Sequence, residues 1–312
     1  MSGKKIITVA GAGGVVGKHL IAQARKQGFR LRALSRRLDP GLSKDVEVFE
    51  WHPHDGAVQQ SIVEALEGAS IVANLAGASI GNGKLDADAK EKILKSRIDA
   101  TNALGSAFEQ CKNPPRVWLQ ASAVGYYGDT GERTVTEQSA AASDWFLADV
   151  CKQWEAQARH VEEAHRETLR MVIGRIGIVL AEDAPAWNKM LLPIKLGVGG
   201  KLGSGKQWYP WIDADDLARA FLFLAEREQS EGIYNLTAAQ PVRQKDLAKQ
   251  TARKIRRPAI FPAPAFALRA LLGETADALV LASCKALPTR LLESGFVFEQ
   301  PDIESELAKF FG

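Results

Sequence analysis

The chain has 312 residues, 46% of them hydrophobic and 25% charged, the balance of an ordinary globular protein long enough to bury a large core. Lys and Arg total 40 against 37 Asp and Glu, and the resulting formal charge of +3 is too small to imply nucleic acid or a membrane surface as partner. Cys111, Cys151 and Cys284 have no paired metal-ligand spacing, so reduced thiols in a cytoplasmic compartment are expected, without disulfides.

The first element, Ile6 to Val9, starts close behind Met1, so no signal peptide is expected. Its apolar run ends in a GxxGxxG turn at Gly11, Gly14 and Gly17, with a helix expected from Val16 to Gln27. In a turn of this kind Gly11 permits the tight bend, Gly14 lets main-chain amides approach a pyrophosphate, and Gly17 lets the helix pack on the strand. The helix N-terminus turns its partial positive charge toward the phosphates. Gly13, Val15 and Val16 complete the candidate cradle.

Leu31 to Leu34 predicts the second strand. About twenty residues beyond the glycine turn, an acidic residue would hold the ribose of NAD. Ser35-Arg36-Arg37 stands there instead, and the planar fork of Arg36 suits the 2′-phosphate of NADP. An exposed basic turn is the plain alternative, and Asp39 in a shifted register keeps NAD open. NADP(H) is therefore expected ahead of NAD(H).

Glu47 to Trp51, Ser70 to Leu75, Arg116 to Gln120 and Leu169 to Gly174 read as further strands. They alternate with helices expected near Val58 to Leu66, Asp86 to Gln110 and Ser143 to Ala164. This order predicts an α/β fold, a doubly wound parallel sheet of the Rossmann kind. Composition changes beyond Leu180, where five glycines from Gly197 to Gly205 mark a loop or hairpin before Trp208 to Ile212. Asp213 to Asp216 opens a helix with acidic capping residues. The apolar stretch from Pro262 to Ala282 is broken by Arg269, Glu274 and Asp277 and is not expected to cross a bilayer. We divide the chain into a dinucleotide-binding domain, 1–184, and a smaller substrate-side domain, 185–312, from which 209–240 returns to the core. His52, His54, His160 and His165 show no convergent spacing, and no metal is expected.

Several segments together resemble the extended short-chain dehydrogenase/reductase superfamily. They are Asn74-Leu75-Ala76-Gly77-Ala78-Ser79-Ile80, Ser96-Arg97-Ile98 with Thr101, Ser122-Ala123-Val124-Gly125-Tyr126-Tyr127-Gly128, Cys151 with Trp154-Glu155, and Gly199 to Trp208. Within the superfamily they are similar to an atypical sugar-nucleotide-epimerase-like family sometimes labelled as cell-division inhibitors. Asn235 to Ala238, and Leu287-Pro288 through Arg290 to Gly295-Phe296, carry the resemblance over nearly the whole chain. It implies that Leu75, Ala76 and Gly77 border the cofactor and that Ser122, at the superfamily's serine position, contacts the cofactor as well as the substrate.

The superfamily also uses a YxxxK pair on the following helix. Anchoring on Trp154-Glu155 puts Leu147 and Cys151 in those two places, and Lys152 is one helical step of about 100° away. Three readings stay open. Tyr126 or Tyr127 supplies the phenol from the loop, with Ser122 bonded to a substrate carbonyl or hydroxyl. Cys151 is a nucleophile, against its reading as a small buried hydrophobe. In the third, the chain binds NADP(H) as a sensor without fast chemistry. Lys201, Gln207 and Trp208 are the candidate substrate contacts, with loop solubility for Lys201 and Lys206, and packing for Trp208 and Trp211, as the alternatives. Arg175 meets either substrate or a structural acid. Asp213, Ala239 and Ala10 replace the His, Pro and Thr common in relatives, which leaves substrate identity more open than cofactor binding. The expected activity is that of an oxidoreductase or epimerase-like enzyme on a small carbonyl or hydroxyl compound.

Overall fold

The structure is a computed structural model and describes residues 4–37, 42–54, 58–81 and 83–312. The first half runs β1 (Ile6–Ala10), α1 (Val15–Lys26), β2 (Arg30–Ser35), β3 (Val46–Glu50), α2 (Gln60–Leu66), β4 (Ile71–Asn74), α3 (Ala87–Phe108), β5 (Val117–Ala123), a 3-10 turn over Val124–Tyr127, β6 (Thr134–Val135) and α4 (Phe146–Ala164). There follow β7 (Arg170–Ile176), β8 (Ile178–Leu180), α5 (Pro185–Lys195), β9 (Trp208–Tyr209), β10 (Trp211–Asp213), α6 (Ala214–Glu226) and β11 (Gly232–Leu236). The chain ends with β12 (Val242–Arg243), α7 (Gln244–Lys254), α8 (Ala265–Leu272), a π-helical turn over Ala276–Leu281, β13 (Lys285–Ala286), α9 (Thr289–Glu293) and α10 (Ile303–Phe311).

Seven strands form one parallel sheet in the order β11-β7-β5-β4-β1-β2-β3. Strands covered on both faces must be apolar on both, and β1 and β4 are short β-branched runs of that kind. Ile7 and Val9 face Leu20 of α1 and Leu217 and Phe221 of α6. On the opposite face, Val72, Trp118 and Ile173 meet Ile62 of α2, Leu104 and Phe108 of α3, and Ala158 of α4. Each such fully buried aliphatic or aromatic side chain contributes roughly 1.5–3 kcal/mol. β11 carries no β-rich run, since Gly232 opens it and Asn235 interrupts it; its parallel pairing with β7 makes it a strand.

Later residues join this core at several points. α6 packs on α1, β13 pairs with β6, α9 packs beside β11, and α10 packs on α7. A third apolar cluster gathers Trp187, Trp211, Leu247 and Leu307. No helix among the described residues is long and apolar enough to cross a membrane.

The order of the strands reverses between β1 and β4. β2 and β3 lie to one side of β1, and β4, β5, β7 and β11 to the other. In open α/β sheets, ligands bind at such a reversal, beyond the carboxyl ends of the strands.

Candidate functional site

The glycine turn fills that reversal. Gly11 has φ +83°, in the left-handed region, and a Cβ there would lie 2.7 Å from the Leu75 carbonyl oxygen. At Gly17 a Cβ would fall 2.4 Å from the Gly11 oxygen, so only glycine lets α1 approach the strand this closely. At Gly13 a Cβ would meet nothing within 4 Å, and at Gly14 only the Gly11 oxygen at 3.3 Å. The open side of the turn is therefore at Gly13 and Gly14. The first helical bond of α1 runs from the Lys18 amide to the Gly14 oxygen, so the amides of Val15, Val16 and Gly17 precede the ladder. No acidic residue sits in that first turn. These features fit a diphosphate.

Strand register sets what flanks the turn. Ala10 pairs with Leu34 on one side and with Asn74 on the other, which puts Ser35, Arg36 and Arg37 beside the turn and Leu75, Ala76 and Gly77 opposite. Arg36 and Arg37 are exposed, and the Arg37 amide donates to Ser35 Oγ at 3.2 Å. Asp39 lies outside the described residues. The segment after β4 is clamped from α3: the Ala78 amide donates to Ser96 Oγ at 2.9 Å, and Arg97 Nη1 donates to the Ala78 oxygen at 3.1 Å. Asn74 Nδ2 donates to Thr101 Oγ1 and Gln120 Oε1, giving the Ser96-Arg97 and Thr101 motif a physical task.

Beneath the end of β5 lies a closed polar network. Ser122 Oγ donates to Glu155 Oε1 at 2.6 Å, and Arg175 forks onto both oxygens of Glu155 at 2.8 Å each. Arg175 Nη1 also donates to the Tyr127 hydroxyl at 3.0 Å, which donates to Asn235 Oδ1 at 2.7 Å. The Arg175 guanidinium stacks 3.3 Å from the Tyr126 ring centre. Burial disfavours the charge on Arg175, yet the Glu155 fork outweighs it and raises its pKa. Burial pushes the Tyr127 phenol up to about 12 against the pull of Arg175.

Above this network opens a cavity of about 200 Å3. Ala123, Val124 and Gly125 form its floor, Leu147, Cys151 and Trp154 of α4 one wall, and Trp208, Tyr209 and Leu279 the roof. Tyr209 donates its hydroxyl to the Val280 oxygen at 2.8 Å, and Gln207 Nε2 donates to the same oxygen at 3.0 Å, tying the π-helical turn over the cavity. Arg97 is the sole charged side chain among the described lining residues.

Residues 7–237 match the family described as NAD dependent epimerase/dehydratase, and 263–310 match a domain of unknown function, DUF1731. The chain belongs to the NAD dependent epimerase/dehydratase family. It is 35% identical to epimerase family protein YfhF of Bacillus subtilis, over 97% of each chain, and 34% identical to epimerase family protein SA0724 of Staphylococcus aureus, over 96% of each. Among solved structures, human epimerase family protein SDR39U1 with NADPH superposes with a TM-score of 0.85 at 25% identity, covering 97% of this chain and 98% of that one. UDP-glucose 4-epimerase of Thermus thermophilus with NAD shares the fold, with a TM-score of 0.75 at 16% identity, over 98% of this chain and 99% of that one.

Within this epimerase-family fold the sequence candidates fall into two groups. The cofactor candidates Gly11, Gly13 to Gly17, Ser35 to Arg37 and Leu75 to Gly77 converge on the reversal point, while Ser122 lies near the end of β5 with its hydroxyl on Glu155. The catalytic candidates do not converge on the cavity. Ser122 gives its hydroxyl to Glu155, and Tyr127 is buried with its hydroxyl bonded on both sides, and neither is among the lining residues. Tyr126 is half-buried under Arg175 and is not among the lining residues. Burial pushes the Cys151 thiol up to about 11, and it donates to the Ala123 oxygen at 3.5 Å, the setting of a small buried hydrophobe rather than of a nucleophile. Lys152 pairs with Asp149 at 2.6 Å on the outer face of α4. Of the substrate candidates, Trp208 lines the cavity, Gln207 is buried and not among the lining residues, and Lys201 is exposed and outside the lining. Arg175 meets a structural acid, Glu155. Arg97, Tyr209 and the π-helical roof are not among the candidates drawn from the sequence. An arginine in a helix whose neighbours at Ile93 and Ala100 are apolar was the available signal for the first. No group of three or more His, Cys, Asp or Glu among the described residues is placed to hold a metal.

Proposed function

We propose that the protein is an NADP(H)-binding enzyme of oxidoreductase or epimerase-like type, acting on a small carbonyl or hydroxyl compound in the cavity above β5. The observation that carries this reading is the glycine turn with its three leading amides, flanked by Arg36 on one side and Leu75 to Gly77 on the other. When bound, the cofactor supplies or accepts a hydride. The residues that would hold it are the main-chain amides of Val15, Val16 and Gly17 for the diphosphate, Ser35, Arg36 and Arg37 for the adenosine 2′-phosphate, and Leu75, Ala76 and Gly77 along the ribose. The human relative described with NADPH supports the phosphate-bearing form. The free cysteines, all at least half-buried, suit a reducing cytoplasmic setting.

A second reading has its own observation. Leu147 and Cys151 line the cavity where the superfamily's tyrosine and lysine would stand, which favours a noncatalytic NADP(H)-dependent sensor. Calorimetry with NADPH and NADH tests the shared part: NADPH is expected to bind at least about tenfold more tightly, and Arg36→Ala to erase most of that difference. Equal affinities would sink the 2′-phosphate assignment. Turnover of NADPH across carbonyl and hydroxyl pools separates enzyme from sensor, since a sensor binds without consuming it.

A further inference from the structure

We propose that the cavity above β5 binds a small monocarboxylate with an apolar body, its carboxylate paired side-on with Arg97. This deepens the proposed function, since it names the chemical class taken by the same cavity. It rests on three observations made at Arg97 and around it.

The first is an unpaired charge held inside the fold. Arg97 is 8% exposed, and no carboxylate among the described residues lies within ion-pair distance of it. A buried cation without a counter-ion is costly, and such groups ordinarily pair or bind an anion. Burial lowers its pKa to about 10, so it stays cationic at neutral pH.

Orientation is the second. Nη1 donates to the backbone oxygens of Ala78 at 3.1 Å and Ile93 at 2.8 Å, and the guanidinium lies 5.0 Å from the Trp154 ring centre. One end of the plane is thereby fixed. Nε and Nη2, the edge that matches a carboxylate in a bidentate pair, have no acceptor among the described residues. A built and half-satisfied guanidinium differs from a surface arginine, whose long side chain is free to move.

The third is what surrounds it. Ile80, Val150, Trp154, Ile178 and Leu279 make the lining apolar, and no second cation joins them. One charge balances one carboxylate, whereas a phosphate dianion would leave an uncompensated negative charge in an apolar enclosure. The apolar walls suit the ligand's body, and Arg97 fixes which end enters first.

Calorimetry on the full chain tests this with 4-phenylbutyrate and its neutral isostere 4-phenylbutyramide, each with and without saturating NADPH. The carboxylate is expected to bind about tenfold or more tightly than the amide. Arg97→Gln is expected to remove that preference, and Arg97→Lys, which keeps the charge without the fork, to restore part of it. Equal binding of the two probes, or no heat from the carboxylate at millimolar concentration, would overturn the proposal, and neither result depends on a variant. If Arg97→Gln instead weakened NADPH and left the preference intact, Arg97 would serve the cofactor and the proposal would fall. Failure of NADPH binding with the preference retained would overturn the cofactor reading alone.

Discussion

Glu155 shows how one residue can carry the end of a sheet. Its carboxylate is buried and takes three hydrogen bonds, from Ser122 and from both prongs of Arg175, and Arg175 in turn orients Tyr126 and Tyr127. Removing one partner of a buried ion pair leaves the other uncompensated, which costs about 3–5 kcal/mol, while replacing both by apolar groups costs far less. Glu155→Ala should therefore lower unfolding free energy by about that amount in urea titration, and Glu155→Leu with Arg175→Met should recover much of it. If the single variant unfolds at the wild-type midpoint, the network is not what holds β5 and β7 at this end. Gly17→Ala belongs to the same scale. Its Cβ meets backbone at 2.4 Å, so α1 must shift, with an expected loss of about 1–3 kcal/mol and of NADPH binding; unchanged calorimetry would refute the close-packed turn. The glycines were legible in the sequence because the turn at Gly11 and the packing of Gly17 on Gly11 are local, although the approach of Gly11 to Leu75 is not. Glu155 was visible only as part of a motif, because its partners come from Ser122 and Arg175, which the β5–β7 register brings side by side.

Among elements, the contact of α10 with α6 shows a polar arrangement that periodicity does not reveal. The capping role expected for the aspartates after Ile212 is present: Asp213 accepts from the Asp216 amide at 2.9 Å as the N-cap of α6. Their second task appears only in three dimensions. Lys309 of α10 reaches Asp213 at 2.6 Å and Asp215 at 3.0 Å, and His19 of α1 reaches Asp215 at 2.7 Å. Glu306, one turn before Lys309, is buried with neither oxygen bonded among the described residues. Burial, reinforced by the Asp213 carboxylate and opposed by Lys309, pushes its pKa up to about 9 from an ordinary 4.5. The folded state thus keeps a proton that the unfolded chain releases, so between about pH 4.5 and pH 9 this group's contribution to stability declines as pH rises. Glu306→Gln removes that proton linkage. It should raise stability at pH 8 by about 1–3 kcal/mol and flatten the decline between pH 6 and pH 9, measured by urea unfolding at several pH values. An unchanged slope would mean that Glu306 is ionised in the folded protein.

At the scale of the whole molecule, the alternation of strand and helix up to Gly174 made the parallel sheet legible, because its central strands β1, β4, β5 and β7 are mostly buried apolar runs, while β2 and β3 toward its edge still show alternating apolar residues. The later chain was harder to read. β11 holds its place by pairing, and the last fifty residues are stitched in by contacts with distant partners. β13 completes the β6 ladder, Leu291 and Phe296 enter the apolar cluster on the α1–α6 side, and Ile303 and Leu307 enter the cluster of Trp187 and Trp211. Asp216 accepts the amides of Glu299 and Gln300 at 3.0 and 2.8 Å, so even α6, packed on α1, leans on the C-terminal segment. Elements joined in this way lose their partners together. The full chain should unfold in one transition, with tryptophan fluorescence and far-UV circular dichroism coincident in urea, and NADPH at about a hundred times its dissociation constant should add about 2.7 kcal/mol to the whole of it. A chain ending at Pro262 would leave β6 unpaired and expose the seats of Leu291, Phe296 and Leu307, and should lack a cooperative transition. Were that shortened chain to melt at the temperature of the full protein, the C-terminal segment would be an appendage, and the cavity roof it supplies would have to be regarded as a separable lid.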